Sequence, residues 1–254
     1  MSCTCVIPAR MGSSRFPRKP RKPLLGMALI LHVYHRARLA KSVNRVVVAT
    51  CDQVIYDAVV EAGGEAVMTA DTHERCTDRV EEAIAKVASD LADDDFVLMV
   101  QGDEVLVSPD MLDQMVAAYA ADPVPVVNLV SRLYRAEDHD DPNTVKVVFG
   151  PNHRALYFSR APLPSRARHD APPMYQQTGV IGFQAAFLRR FSELPQTPLE
   201  KIESCDMLRV LEHGLPITVL PTDVETIGVD TENDRARAEQ VLAADAYTPQ
   251  YLDV

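Results

Sequence analysis

Short apolar runs alternate with stretches of helical periodicity through the first half of the chain, and this pattern restricts the possible folds more than any other feature. Thr4 to Pro8, Arg45 to Ala49, Ala66 to Met68 and Phe96 to Val100 have the length and character of buried strands. Between them Leu29, Ile30, Val33, Tyr34 and Ala37, and later Val80, Ala83, Ile84 and Val87, recur at a spacing that puts apolar side chains on one helix face. Strands joined by such helices predict an α/β fold with a doubly wound, mostly parallel sheet. A chain of 254 residues, 47% of them hydrophobic, can bury the core of one large domain of this kind, spanning 1–254.

The second half has a different pattern. Val145 to Phe149 and Ala155 to Phe158 flank Gly150-Pro151-Asn152, which predicts a β-hairpin. Ala161 to Met174 mixes prolines and arginines and predicts a loop or arm, in which Ser165-Arg166-Ala167-Arg168-His169 can serve as a lid or as a plain surface segment. The region of about 140–185 therefore reads as a smaller β-rich part within the single domain. Leu199 to His213 has a helical pattern that stops at Gly214-Leu215-Pro216, and a strand and a last helix from Thr231 close the chain. The acidic patches Asp93 to Asp95 and Asp138 to Asp141 read as solvated loops.

Directly after the first strand, Arg10-Met11-Gly12-Ser13-Ser14-Arg15-Phe16-Pro17-Arg18-Lys19-Pro20-Arg21-Lys22 packs six cations into thirteen residues. The rest of the protein is acidic, with 26 Lys and Arg against 36 Asp and Glu and a net charge of −10, a balance that argues against nucleic acid as a partner. Small residues in the loop let backbone amides approach a ligand, while Arg10, Arg15 and Lys19 can surround a polyphosphate. The first βα loop at a sheet's carboxyl edge is where such ligands sit, and a triphosphate fits best. The loop has neither Walker A spacing nor a dinucleotide-binding glycine pattern, since Gly12 is its single glycine.

Two acidic turns complete the set. Val100-Gln101-Gly102-Asp103-Glu104 follows the fourth strand, and Gly228-Val229-Asp230-Thr231 precedes the last helix. Alone, the first reads as a turn and the second as a helix N-cap. Beside the basic loop, Asp103 and Asp230 make a natural Mg²⁺ site, because this ion takes one or two protein carboxylates together with phosphate oxygens and water. The conjunction points to nucleotide chemistry. Five cysteines without paired spacing suit free thiols in a reducing compartment. No apolar run approaches the roughly 20 residues of a membrane span, and the N-terminus runs straight into a strand, so the expected location is cytoplasmic with no membrane partner.

The chain resembles the CMP-Kdo synthetases, the 3-deoxy-manno-octulosonate cytidylyltransferases, over nearly its whole length. The resemblance is carried by Ile7-Pro8-Ala9-Arg10, Ser14-Arg15, Lys19-Pro20, Val100-Gln101-Gly102-Asp103-Glu104, Pro142-Asn143, Ala155-Leu156-Tyr157-Phe158-Ser159-Arg160-Ala161, Pro198-Leu199-Glu200, Ile202-Glu203 and Gly228-Val229-Asp230-Thr231. It implies a nucleotidyltransferase-like sheet, a homodimer formed largely through the second-half strands, CTP as donor and a small anionic acceptor. Further implied are Pro8, Ala9, Arg10, Ser14, Arg15, Lys19, Thr77 and Gln101 around the nucleotide, with Arg10, Lys19 and Asp103 as the catalytic set. Asp103 and Asp230 would hold Mg²⁺, and Arg79, Gln101, Arg160, Gln177, Glu203 and Asp206 would face the acceptor.

The departures concentrate where the family binds its sugar. Gln176-Gln177-Thr178-Gly179-Val180-Ile181-Gly182-Phe183 replaces Arg-His-Leu-Gly-Ile-Tyr-Gly-Tyr, and Asp206-Met207 replaces Glu-Gln. Cys76 stands where the family has glycine, Asp78 where it has Glu, and Val105 where proline is usual. Lost hydrogen-bonding groups redirect specificity, so two acceptors stay open: a 3-deoxy-2-ulosonic acid such as Kdo, and a compact phosphonate of the phosphonoformate kind. Two other classes compete. A nucleotide-sugar-dependent glycosyltransferase would want an Asp-x-Asp-type pair, and a non-catalytic nucleotide-binding protein would bind CTP without releasing pyrophosphate.

Overall fold

The computed structural model describes residues 1–12, 16–169 and 172–252. Its first half contains β1 (Cys3–Ala9), β2 (Pro23–Leu24), β3 (Met27–Ala28), α1 (Leu29–Arg38), β4 (Arg45–Thr50), α2 (Gln53–Glu61), β5 (Ala66–Met68), α3 (Cys76–Val87) and β6 (Phe96–Val100). The chain continues through α4 (Pro109–Ala121), β7 (Val126–Arg132), α5 (Ala136–Asp140), β8 (Lys146–Phe149), β9 (Ala155–Ser159) and β10 (Tyr175–Gln184). It ends with α6 (Ala185–Phe191), α7 (Pro198–Glu203), α8 (Met207–Glu212), β11 (Ile217–Thr222) and α9 (Glu232–Ala244).

Among the described residues the main sheet runs β11-β7-β10-β6-β1-β4-β5, with β8 paired to β10 and β9 to β8. β1 is parallel to β4 and β6, β4 to β5, and β11 to β7, whereas β10 is antiparallel to both β6 and β7. This is the mixed α/β, mostly parallel architecture that the apolar pattern predicts. Side chains alternate across a strand, so a sheet covered on both faces divides its apolar residues between two cores. Cys3, Cys5 and Ile7 of β1 and Phe96, Leu98 and Val100 of β6 enter one core with α1 and α4. Val6, Val97 and Met99 enter the other, with α3, α6 and α8.

Three parts of the fold differ from the sequence reading. The 140–185 region does contain the β8–β9 hairpin, but its last strand, β10, lies in the middle of the main sheet. The helix expected over Leu199 to His213 is two helices, separated where Ser204 takes a left-handed φ of 50°. The reason for the break is the buried pair Glu200–Arg209, whose two hydrogen bonds measure 2.6 and 2.8 Å. Nine residues along a straight helix span about 13.5 Å, so the pair forms only if the chain folds back. Finally, Asp138 lies in α5 and pairs with Arg135, while Asp95 is buried and accepts bonds from the Ser2 and Ala92 backbone amides. Neither patch is simply a solvated loop.

Candidate active site

The chain passes from β1 to β4 and β5 on one side and then returns to place β6 on the other side of β1. At such a reversal the loops leaving the two strands diverge and open a crevice beyond their carboxyl ends. The basic loop leaves β1 here, and Gln101-Gly102-Asp103-Glu104 leaves β6. The two strand ends approach closely: the Gly102 amide donates to Pro8 O at 3.2 Å, and a Cβ on Gly102 would lie 3.1 Å from that same oxygen. Glycine is what this approach allows.

The structure brings Lys19, Asp103 and Asp230 together. Lys19 begins a short 3₁₀ turn, Lys19–Arg21, set by a left-handed Arg18 and by the buried Pro20. From there its Nζ donates to Asp103 Oδ2 at 2.6 Å and to Asp230 Oδ1 at 2.8 Å. Burial acts to lower the pKa of the ammonium, but Asp103 and Asp230 outweigh it and hold the value above that of an ordinary lysine. Lys22 points elsewhere and stands over the Phe16 ring, 5.0 Å from its centroid. Thr231 is the N-cap of α9, accepting from the Asp234 amide, which leaves the Asp230 carboxylate to face Lys19. A backbone bond from Val229 N to Asp103 O, 3.3 Å, ties the two acidic turns to each other.

Two carboxylates that converge on one ammonium are a set of hard oxygen donors already arranged around positive charge, and such a set suits Mg²⁺. Among the described residues no group of three or more His, Cys, Asp or Glu is placed to hold a metal ion, so a cation here would draw its remaining ligands from substrate and water. Pro8 and Ala9 are buried at the end of β1, and Arg10 is exposed just beyond them. The expectations at Ser14 and Arg15 lie outside the described residues.

Beside this cluster is a polar cleft of about 570 Å³. Its floor is an irregularity in β10. Gln177 stands opposite Val130 of β7 and Ile181 opposite Asn128, so β10 carries two extra residues around Thr178 to Val180. Bulges of this kind re-aim side chains next to sites. Gly179 meets the end of β6 from there: its carbonyl accepts from Gln101 N at 2.9 Å and its amide donates to Glu104 Oε1 at 2.5 Å. A side chain on Gly179 would lie 2.8 Å from Gln101. Glu104 is buried with Oε2 unpartnered; burial and the neighbouring Asp103 push its pKa up to about 7, against the pull of the Gly179 amide and Lys19. Asp103 and Glu104 thus leave the same strand end for different surroundings.

The residues expected around the acceptor divide into two groups. Gln101, Arg160, Gln177 and Asp206 line the cleft. The Arg160 guanidinium donates to the backbone carbonyls of Glu203 and Pro142, at 2.6 and 2.9 Å, and keeps its charge at the cleft wall. Burial raises the Asp206 pKa, opposed by a 2.6 Å bond from Thr77 Oγ1 and by the charge of Arg75. Glu203 and Arg79, however, are not among the lining residues. Glu203 holds Arg160 in place, accepting from its amide and from Tyr157 and Ser159. Burial tends to raise its pKa, but these bonds hold it below the usual carboxylate value. Arg79, on α3, is buried and donates to Thr69 Oγ1 and Ala70 O, so its guanidinium does not face an anion in the cleft. Thr77 is likewise fully buried, with its hydroxyl committed to Asp206.

The departures from the family pattern also divide by location. Cys76 and Ile181 line the cleft, whereas Phe183 and Met207 are buried in the core. Burial, Asp103 and Asp206 push the Cys76 thiol up to about 12, against Arg10 and Arg79, which favours its protonated form. All five cysteines are free. Sequence reasoning missed Arg75, Arg132 and Arg135 at the cleft, and Asn128 behind it. The last had a readable signal, since Val126 to Val130 is an apolar run broken by one amide, and a buried amide must find partners.

Comparison with known proteins agrees with this geometry. The sequence profile of the cytidylyltransferase family matches residues 4–224. The chain is 41% identical over 241 residues to a 3-deoxy-manno-octulosonate cytidylyltransferase of Syntrophus aciditrophicus (strain SB), covering 94% of this chain and 96% of that protein. It is 40% identical over 247 residues to an 8-amino-3,8-dideoxy-manno-octulosonate cytidylyltransferase of Shewanella sp. (strain ANA-3), covering 96% of this chain and 100% of that protein. A solved CMP:2-keto-3-deoxy-manno-octonic acid synthetase complexed with CTP matches with a TM-score of 0.87 at 35% identity, over 96% of this chain and 99% of that one. No helix among the described residues is long and apolar enough to cross a membrane.

Proposed function

The chain belongs to the cytidylyltransferase family, and from this premise we propose that it transfers CMP from CTP to a 3-deoxy-2-ulosonic acid, Kdo or its 8-amino relative, and releases pyrophosphate. The observation that carries the reading is the convergence of Lys19, Asp103 and Asp230 beside a cleft with Arg160 in its wall. Lys19 and Arg10 bind the phosphates. Arg160 meets the carboxylate of the acceptor, and Gln101 and Gln177 orient its hydroxyls. A hydroxyl oxygen of the bound acid then attacks the α-phosphorus in line, its proton passes to solvent water, and the bond to the pyrophosphate oxygen breaks. Holding the reactants in this geometry removes much of the entropic barrier. The Lys19 ammonium meets the charge that grows on the departing phosphates, a contribution of about 3–4 kcal/mol for one well-placed donor.

Asp103 and Asp230 would hold Mg²⁺, which supplies positive charge that draws the phosphates and the attacking group together. The Lys19 ammonium between these carboxylates in the free protein supports this assignment, because it occupies the position a cation would take. The reading includes a homodimer: Leu156 on β9 and Ile202 on α7 are exposed apolar side chains on neighbouring elements, and β9 has one hydrogen-bonded neighbour, β8, among the described strands. Light scattering of wild type and Leu156→Glu tests it, and a monomeric wild-type protein would reject it.

The catalytic proposal is tested by pyrophosphate release with CTP and Mg²⁺, offering Kdo, 8-amino-3,8-dideoxy-Kdo and phosphonoformate in separate assays. Turnover with either ulosonic acid supports the assignment. Turnover with phosphonoformate alone rejects it, and tight CTP binding without release in any assay rejects catalysis.

A further inference from the structure

We propose that Asn128, which does not line the cleft, is a positioning residue for acceptor choice: it fixes the Gln177 amide so that the carbonyl oxygen faces the cleft, and the acceptor must offer a hydrogen-bond donor there. The inference rests on the ulosonic-acid reading above.

Asn128 is fully buried in β7, where each polar atom of its side chain needs a partner. One end of its amide lies 3.0 Å from Leu129 O, 3.2 Å from Val180 O and 3.4 Å from Thr178 O. Carbonyl oxygens only accept, so the end facing three of them is the NH₂ group, and Oδ1 is turned the other way. Oδ1 in turn meets the Gln177 side chain at 2.8 Å, where a donor is required, so Gln177 presents Nε2 to Asn128. The orientation of the second amide follows from that of the first.

Gln177 Oε1 is thereby turned away from Asn128, 3.3 Å from Cys205 Sγ, and both residues line the cleft. The Cys205 thiol is held protonated, with burial and Asp206 pushing its pKa up to about 12, so it is the donor in this contact. A thiol is a weak donor, and a hydroxyl or ammonium group of an acceptor displaces it readily from Oε1. A fluorine or an ether oxygen at the same place would face a carbonyl oxygen, with no hydrogen between them. Two of the three carbonyls that orient Asn128 belong to the β10 bulge, so the irregular strand and the specificity of the cleft depend on each other.

The test is steady-state pyrophosphate release by the full chain with CTP and Kdo, comparing wild type, Asn128→Ala, Gln177→Met and the double variant. A panel of Kdo analogues with single hydroxyls replaced by fluorine is assayed alongside, with thermal melting as the folding control. Each single variant should raise the acceptor KM about tenfold, the loss of one hydrogen bond. The KM for CTP should stay within about twofold, and the double variant should be no worse than Gln177→Met, because Asn128 acts through Gln177. One fluoro analogue should lose about tenfold in kcat/KM with wild type and nothing with Gln177→Met. Additive losses, an equal rise in the KM for CTP, or no analogue that distinguishes the two enzymes would overturn the proposal. If Asn128→Ala does not fold, Gln177→Met and the analogue panel decide alone. Lack of turnover by wild type with Kdo and its 8-amino relative overturns the acceptor assignment and this inference together, whereas wild-type turnover with an indifferent Gln177→Met overturns the inference alone.

Discussion

Replacing Lys19 by Met removes an ammonium from between two carboxylates, and it should tighten Mg²⁺ binding while slowing turnover. Nζ lies 2.6 Å from Asp103 and 2.8 Å from Asp230, with the three side chains 14%, 22% and 28% exposed. A hydrogen bond to a charged group contributes roughly 1.5–3 kcal/mol net, and partial exposure favours the low end, so the pair is worth about 3 kcal/mol. An incoming Mg²⁺ must displace that interaction. In the variant the two carboxylates no longer hold this ammonium, and the Mg²⁺ concentration for half-maximal activity should fall by about tenfold, or roughly 1.4 kcal/mol. The kcat should fall by about 10²–10³, the loss expected for one donor to developing phosphate charge. The assay is pyrophosphate release titrated over Mg²⁺ at saturating CTP and acceptor, with a melting curve as control. If the Mg²⁺ requirement rises together with the loss of kcat, Lys19 supports the cation site instead of competing with it, and the reasoning fails. An unchanged kcat would refute the phosphate role directly.

Three further predictions follow from other parts of the molecule. Asp103→Asn keeps the shape of the side chain but removes its charge, and turnover should drop by at least about 10² with little change in melting temperature; near-wild-type pyrophosphate release would dismiss the metal assignment. Glu200→Ala leaves Arg209 buried without its partner and should lose about 3–5 kcal/mol in urea unfolding, while Glu200→Leu combined with Arg209→Met recovers most of it. Equal losses in the single and double variants would mean that packing, not the unpaired charge, sets the effect. Burial acts to raise the Glu82 pKa, but bonds from Lys86, the Ala70 amide and His73 hold it at about 2, below 4.5. A depressed carboxylate stabilises the fold above its unfolded pKa and loses that contribution as pH falls. The melting-temperature advantage of wild type over Glu82→Gln should therefore be flat near neutrality, shrink below pH 4.5 and vanish near pH 2; an advantage that stays constant across that window would count against the assignment.

The Lys19–Asp103–Asp230 cluster is legible in the sequence because each of its parts is contiguous and sits at the end of an element. The basic loop follows β1 directly, Asp103 follows β6, and Asp230 precedes a helix that Thr231 caps. Short-range rules of strand periodicity and capping place all three at one sheet edge. The structure adds which cation reaches the carboxylates, because the left-handed Arg18 and the buried Pro20 direct Lys19 inward while Lys22 rests on Phe16. The acceptor side depends instead on register between distant segments. Nothing local in Gln176 to Val180 announces a bulge, because the bulge exists only against Asn128 on β7 and Glu104 after β6. The break at Ser204 is hidden for the same reason, since the ion pair that requires it joins residues that a continuous helix would hold apart.

This difference changes how the departures from the family pattern bear on substrate choice. Counted along the sequence, the replacements at Gln177, Ile181, Phe183 and Met207 remove a histidine, two phenol hydroxyls and an amide, the losses that keep a compact phosphonate open as acceptor. In the fold, Phe183 and Met207 pack in the core, so two of the four losses bear on packing instead of on recognition. Meanwhile the cleft presents Gln101, Gln177, Arg160 and Asp206, a mixed set of amides and charges suited to a polyhydroxylated acid. The groups that changed identity and line the cleft are Cys76, Gln176, Gln177, Thr178, Ile181 and Asp206. Acceptor preference among ulosonic acids should therefore follow substitutions at these six positions and at Asn128, which orients Gln177, while reversion at Phe183 or Met207 should alter stability and leave the preference as it was.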